Sequence, residues 1–246
     1  MTELPKLRMG IDWPVMSANR KVFKRNDRRI TRMALRPSVS FAPSAAQNIV
    51  KLAKWRERSM RVSCFGSGKD TPSELYEEMK AVGRLLALRG VSIATGAFSG
   101  VGMQAPAEGA AGRIPIIGYS YGGRPANSYV TELVDCLELA GNIAFDTDYC
   151  LRLAGLLSSD AFIVAGGGGP GTFLELIATI NFNQKFWTPR KRTALLEMRS
   201  GGSAWNDRML DELQLWGVLN GDVASAIRVV RSAQQAVRWA CDGVES

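Results

Sequence analysis

Short apolar runs alternate with stretches of helical periodicity through most of this chain. Residues 61–65 (RVSCF) form a β-type run that ends at Gly66-Ser67-Gly68. Thr71-Pro72-Ser73-Glu74 then combines a capping box with a proline at the first helical position. Leu75, Met79, Val82 and Leu86 recur at helical spacing until Gly90 supplies the stop. Residues 91–95 predict a second strand, 96–102 its glycine loop and 103–111 a short helix. Residues 114–118 and 142–145 predict the third and fourth strands. Residues 160–165 (DAFIVA) are almost continuously apolar, as a parallel strand buried on both faces must be, and 193–197 predict a sixth strand. Helices are expected over 148–158, 171–186, 206–216 and 223–241.

This alternation predicts an α/β fold: a three-layer, Rossmann-like open parallel sheet with helices on both faces and right-handed crossovers. Ahead of it, 44–60 reads as an amphipathic helix that packs on the core, capped by Ser44, with Ala45, Ile49, Leu52 and Ala53 on one face. The expected division is a basic extension over 1–60 and a nucleotide-binding domain over 61–246.

Composition changes this picture in three ways. The 46% hydrophobic and 22% charged content of the 246 residues is ordinary for a folded domain with an appendage. The net charge of +8 is unevenly divided. Residues 1–61 hold 15 Lys/Arg against 4 Asp/Glu, and the remainder is slightly acidic. The run from Arg20 to Arg29 reads as a solvated arm that wraps a neighbouring subunit, or, with Trp13 and Phe23 able to stack, as a nucleic-acid contact. The third change is chemical. With no histidine, and with Cys64, Cys136, Cys150 and Cys241 scattered, there is no zinc spacing and no Ser-His or Cys-His nucleophile. Chemistry is left to carboxylates, arginine, lysine, hydroxyls and backbone amides, and neither a metal nor a cofactor is implied.

Residues 1–10 have no apolar core of signal-peptide length, and the uncharged stretch 90–107 carries five glycines and prolines in place of large apolar side chains. A cytoplasmic protein with no membrane span is expected. Cys64 is expected in the core, Arg190-Lys191-Arg192 in a solvated loop, and Trp205 and Trp216 packed beside a helix. Asp146 and Asp148 read as caps of the helix that carries Arg152, Asp148 with the ribose as an alternative, and Glu108 has no assigned role.

Ligands in open α/β sheets sit beyond the carboxyl ends of the strands. Three glycine loops fall there: 66–68, 96–102 and 166–172. None is a Walker A loop. The third fits GxGxxG through Gly166, Gly168 and Gly171, but a glycine run satisfies that pattern trivially, so a dinucleotide is a minor reading. Its continuation, Gly167-Gly168-Gly169-Pro170-Gly171-Thr172-Phe173-Leu174-Glu175, is more informative. Glycines bring backbone amides close to an anion, and the helix that follows turns its positive end toward it. Thr172 offers a hydroxyl, and Glu175 lies one turn further on the same face, at about sugar distance from a bound phosphate. The alternative is a glutamate that complements the helix dipole.

The GG-x-GT-x-x-E arrangement from Gly168 to Glu175 resembles that of the LONELY GUY phosphoribohydrolases. That group, once labelled lysine decarboxylase-like, also holds bacterial nucleotide 5′-monophosphate nucleosidases and resembles molybdenum-cofactor carriers. The segment from Thr95 to Pro106, followed by Gly109-Ala110-Ala111, is similar to the family's second glycine loop, most of all to that of the nucleosidases. Arg152 falls where the group carries its active-site arginine. The resemblance spans about residues 61–220. Departures are Gly167 where proline is usual, Pro170 at the variable position, Leu174 where an acid often stands, Leu153 where a lysine often follows the arginine, and an extra residue near Gly102.

The resemblance implies hydrolysis of the N-glycosidic bond of a nucleoside 5′-monophosphate to free base and ribose 5-phosphate. Glu175 would stabilise the cationic ribose and orient water, and Arg152 would hold the phosphate or steer the carboxylate and leaving base. Gly168, Gly169, Gly171 and Thr172 would bind the 5′-phosphate, while Gly66, Ser67, Gly100 and Met103 would line the nucleotide cleft. The resemblance also implies a homo-oligomer, at least a dimer. Two other classes are a non-catalytic nucleotide or molybdenum-cofactor carrier on the same fold, and a nucleic-acid protein acting through its basic arm.

Overall fold

Buried β-branched and aromatic runs pair into one sheet around which the rest of the chain is arranged. The computed structural model describes residues 60–68, 73–137, 147–198 and 205–243. Seven strands occur among them: β1 (Arg61–Phe65), β2 (Ser92–Thr95), β3 (Ile116–Ser120), β4 (Glu132–Asp135), β5 (Ala161–Ala165), β6 (Thr193–Leu196) and β7 (Ile227–Val230). Their order is β4-β3-β2-β1-β5-β6-β7, and every pairing is parallel. The α/β, Rossmann-like class read from the sequence is the fold observed.

Helices α1 (Glu74–Leu88), α2 (Gln104–Ala110), α3 (Thr147–Leu157), α4 (Pro170–Lys185), α5 (Trp205–Leu215) and α6 (Gly221–Ala224) lie in the connections between strands, and α7 (Ala233–Asp242) follows β7. Side-chain alternation divides the core into two layers. Val62, Cys64, Ile93, Ile163 and Leu196 face α1, α2 and α7. Phe65, Ala94, Phe162, Val164 and Leu195 face α3, α4, α5 and α6. The Phe65 and Phe162 rings stack at 5.7 Å, and the Ser63 hydroxyl donates to the Leu156 carbonyl at 2.7 Å, tying β1 to α3. Gly83 lets α1 cross α2 closely, since a Cβ there would overlap the Pro106 carbonyl.

The elements differ from the sequence reading at the cap of α1, at an edge strand that it did not contain and at the last predicted helix. Residues 71 and 72 lie outside the described residues, and the cap of α1 is Ser73, extended at φ −149°, whose Oγ accepts from Tyr76 N at 3.1 Å. The segment 142–145 also lies outside them. The fourth described strand is β4, an edge strand with a charged residue at each end and Val134 as its buried position, too little apolar content to stand out.

The predicted helix over 223–241 is instead α6, β7 and α7. Val223, Ala226, Ile227, Val230, Ala233, Ala236 and Val237 are buried at steps of three or four throughout, which imitates a helix. Pairing of Ile227–Val230 with β6 overrides that periodicity, and Ser232 caps α7 anew through its Oγ, which accepts from Gln235 N at 3.3 Å.

Arg190, Lys191 and Arg192 are not simply solvated. Lys191 Nζ donates to the carbonyls of Leu157 and Ser159 and lies 4.2 Å from the Trp187 ring, Arg190 donates to the Trp187 carbonyl, and Arg192 donates to that of Cys241. Trp216 is exposed rather than packed, while the Trp205 side chain lies outside the described residues, as does the extension 1–59 with its predicted helix. Glu108 pairs with Lys80 and accepts from Tyr76 Oη, joining α2 to α1. Among the described residues no helix is long and apolar enough to cross a membrane.

The sheet order reverses between β2-β1 and β1-β5, so the connections leaving β1 and β5 diverge to opposite faces. A crevice opens there at the carboxyl ends of the two strands.

Candidate functional site

Two glycine loops meet backbone to backbone at this crevice. A Cβ on Gly66 would lie 2.7 Å from the Gly102 Cα, so the loop after β1 and the loop after β2 touch only because neither residue has a side chain. Gly100, at φ +102°, occupies the left-handed region, and its carbonyl accepts from Gln104 N at 2.9 Å to start α2. Gly66 and Ser67 face the cavity, whereas Gly100 lies behind them against Ser67 and Gly68.

The loop after β5 makes the opposite wall. Gly166 N donates to Leu196 O at 2.8 Å, Gly167 turns at φ +70°, and Gly169 is the N-cap of α4, with Pro170 in its first turn. Gly169 offers no capping side chain, and the Phe173 amide is the first to find a helical carbonyl, that of Gly169, at 3.1 Å. The Gly171 and Thr172 amides precede it, at the positive end of a 16-residue helix. Gly169, Gly171 and Thr172 line the cavity, while Gly168 sits behind, packed on the Thr172 side chain.

Arg152 of α3 and Glu175 of α4 meet on the floor. Arg152 Nη1 donates to Glu175 Oε1 at 2.9 Å, and both side chains are buried. Burial pushes the Glu175 carboxyl above the usual carboxylate range, and the Arg152 charge and hydrogen bond oppose that rise. Arg152 Nη2 lies 4.0 Å from Met103 Sδ, and its Nε has no partner among the described residues. Together these walls enclose a cavity of about 420 Å³. Of the residues singled out in the sequence, Gly66, Ser67, Met103, Arg152, Gly169, Gly171, Thr172 and Glu175 converge on it.

The structure adds an aromatic wall that the sequence reading did not contain. Phe98, Tyr121 and Tyr149 line the same cavity, with Phe98–Tyr121 and Tyr121–Tyr149 centroids at 5.3 and 5.1 Å, both edge to face. The Arg152 guanidinium carbon is 5.5 Å from the Tyr121 ring and 5.8 Å from Tyr149. Arg124 also lines the cavity. Two signals were available. Tyr121 directly follows β3, at the carboxyl edge where ligands collect, and Tyr149 stands three residues before Arg152 on one helix face. Asp148 accepts from Gly122 N at 2.8 Å, which pins the loop after β3 to α3, so its role extends beyond its own helix. Among the described residues no cluster of His, Cys, Asp and Glu is arranged to hold a metal ion.

Residues 59–200 match the model of the SLOG cluster4 family. Solved structures share the fold at low identity. The molybdenum cofactor carrier protein of Chlamydomonas reinhardtii is 20% identical with a TM-score of 0.52, covering 73% of this chain and 94% of its own. TM1055, a structural genomics target, is 21% identical with a TM-score of 0.51, covering 74% and 97%. DNA processing protein A of Helicobacter pylori is 14% identical with a TM-score of 0.52, covering 78% and 85%. No curated protein matches the chain in sequence.

Proposed function

The chain belongs to the SLOG cluster4 family, and from that premise we propose that its cleft takes a nucleoside 5′-monophosphate and hydrolyses the N-glycosidic bond to free base and ribose 5-phosphate. One observation carries the reading: a buried carboxylate, Glu175, is held by Arg152 at 2.9 Å in the same cavity as an open helix N-terminus one turn away.

The 5′-phosphate is placed at the amides of Gly169, Gly171 and Thr172 and at the Thr172 hydroxyl, where the α4 dipole favours an anion. The sugar then lies over Glu175. As the bond from C1′ to the base nitrogen lengthens, positive charge grows on the ribose, and a fixed anion beside it is worth more in a cavity than in water. Burial makes the Glu175 carboxylate more basic than a surface glutamate, which suits it to take a proton from the attacking water. Water oxygen bonds to C1′, the base leaves with the bonding electron pair, and the base nitrogen gains a proton. Arg152 opposes the rise that burial imposes on the Glu175 carboxyl and keeps it aimed, with a permanent charge and a forked donor set.

A second reading is binding without hydrolysis, with a nucleotide or molybdenum cofactor as cargo. It is favoured by the fold shared with the molybdenum cofactor carrier of C. reinhardtii. Chromatographic analysis of nucleoside monophosphates incubated with the protein separates the two. Base release that is lost in Glu175→Gln supports the hydrolase. Stoichiometric binding with no release supports the carrier, and unchanged release by Glu175→Gln removes Glu175 from the reaction. Self-association belongs to the same proposal, and sedimentation velocity tests it.

A further inference from the structure

Arg124 stands at the junction of two cavities. It lines the cleft that holds Glu175, and it lines a second hollow of about 470 Å³ that shares Phe98 and Ser99 with the first and continues along Gln104 and Ser128. Its guanidinium carbon lies 5.9 Å from the Phe98 ring and 5.5 Å from the Tyr121 ring. No carboxylate among the described residues pairs with it, so its donors are not spent on an ion pair.

The loop that carries it is fixed at both ends. Asp148 accepts from Gly122 N, and Asn127 donates through Nδ2 to the carbonyls of Ala97 and Phe98, each at 2.9 Å, while Asn127 N donates to Ala97 O at 2.8 Å. An exposed arginine on a pinned loop, laid across two rings, has less backbone freedom to lose when a ligand arrives.

Tyr121 gives this arrangement a direction. The Arg152 and Arg124 guanidinium carbons each lie 5.5 Å from its ring, the first in a group paired with Glu175 and the second in a group that lines the second hollow. Phe98, Tyr121 and Tyr149 run between them as a continuous aromatic wall. For a ligand whose phosphate and sugar sit at Thr172 and Glu175, this wall, with Arg124 against it, is the aromatic surface that the same cavity offers to a planar ring.

We propose that Phe98, Tyr121 and Arg124 form a ring-recognition subsite selective for 6-oxopurines and for pterins, fused ring systems that share a carbonyl oxygen on one ring beside an unprotonated nitrogen of the other (O6 and N7 of the purine, O4 and N5 of the pterin). A guanidinium fork donates to both acceptors of such an edge, whereas adenine presents an amino donor there and is refused. The inference rests on the nucleotide-binding reading and names the class of ring that the site takes.

Calorimetric titration of the full chain tests it, with GMP, IMP, AMP, CMP, ribose 5-phosphate and a pterin monophosphate as probes. GMP and IMP are expected to bind about 10- to 100-fold more tightly than AMP and CMP, the range that one bidentate pair supplies. Arg124→Leu brings GMP and IMP down to the level of AMP and leaves ribose 5-phosphate unchanged. Arg124→Lys, which keeps charge without the fork, does not restore the preference. Tighter binding of the pterin monophosphate than of GMP assigns the subsite to a pterin, and the reverse assigns it to a purine nucleotide. Equal binding of GMP and AMP by the native chain overturns the subsite and leaves the nucleotide reading standing. Loss of ribose 5-phosphate affinity in Arg124→Leu also overturns it, because Arg124 then serves the phosphate. If ribose 5-phosphate binds and no nucleotide or pterin does, the subsite and the nucleotide reading fall together.

Discussion

Gly96 and Arg152 lie in van der Waals contact across the cleft: a Cβ at position 96 would overlap Arg152 Nη2 and come within 2.7 Å of Met103 Sδ. The absence of a side chain at the end of β2 is thus what allows the guanidinium to reach Glu175. Gly96→Ala should displace Arg152 without touching any ligand atom. Base release is expected to fall by about 10²-fold, the cost of a misplacement near 1 Å, with phosphate affinity largely kept. Steady-state kinetics beside ribose 5-phosphate binding checks this, and full activity would show that Arg152 is not held by this contact.

Arg152 and Glu175 depend on one another for stability. Removing the cation leaves a buried carboxylate without its partner, which typically costs about 3–5 kcal/mol. Arg152→Leu should therefore unfold at markedly lower urea than the native chain. Glu175→Gln should cost less, because the amide oxygen still accepts from Arg152. The double variant Arg152→Leu/Glu175→Leu should recover much of the loss. Equal destabilisation by both single variants would argue that packing, not charge, dominates the pair.

The pH dependence follows from the same carboxyl. Burial raises the Glu175 pKa above its unfolded value, so the folded chain keeps a proton over a window in which the unfolded chain has released it. This group's contribution to stability is full below the unfolded pKa and is lost as pH rises through the folded one. Base release runs the other way, rising through that window as the carboxylate forms. Arg152→Gln removes the charge that holds the pKa down, and should move the acid limb of the rate profile to higher pH. An acid limb unmoved by that change would mean that another group controls the rate.

The four cysteines should differ sharply in reactivity. Burial pushes the Cys64 and Cys136 thiols up to about 12, and Cys150 is exposed on α3. A thiol reagent at neutral pH should label Cys150 quickly and leave Cys64 and Cys136 until the chain unfolds. Cys64→Ala should retain full base release, as expected of a small core residue facing α1. Fast labelling of Cys64 in the native protein would contradict its placement.

Legibility in the sequence followed the range of the interaction involved. The GG-x-GT-x-x-E segment was readable because its glycines, threonine and glutamate are joined by one local geometry, a strand turning into a helix, which puts Thr172 and Glu175 one turn apart on α4. Residues 227–230 were not, because burial at steps of three and four says helix until a neighbouring strand claims the backbone. Arg124 gave no local sign, and Phe98 none beyond its place in the glycine loop 96–102, since neither belongs to a regular element and both meet at Tyr121.

Taken alone, the order of amino acids determined that this chain builds an α/β sheet with glycine turns at strand ends, and that no histidine takes part in whatever it does. These are consequences of periodicity, backbone freedom and residue inventory, which act over a few positions. Only the tertiary structure decided that Arg152 of α3 meets Glu175 of α4, that Gly96 leaves room for the encounter, and that three rings link the two arginines. Those relations join residues tens of positions apart, and the parallel order of β1, β2, β3 and β5 brings them to one edge.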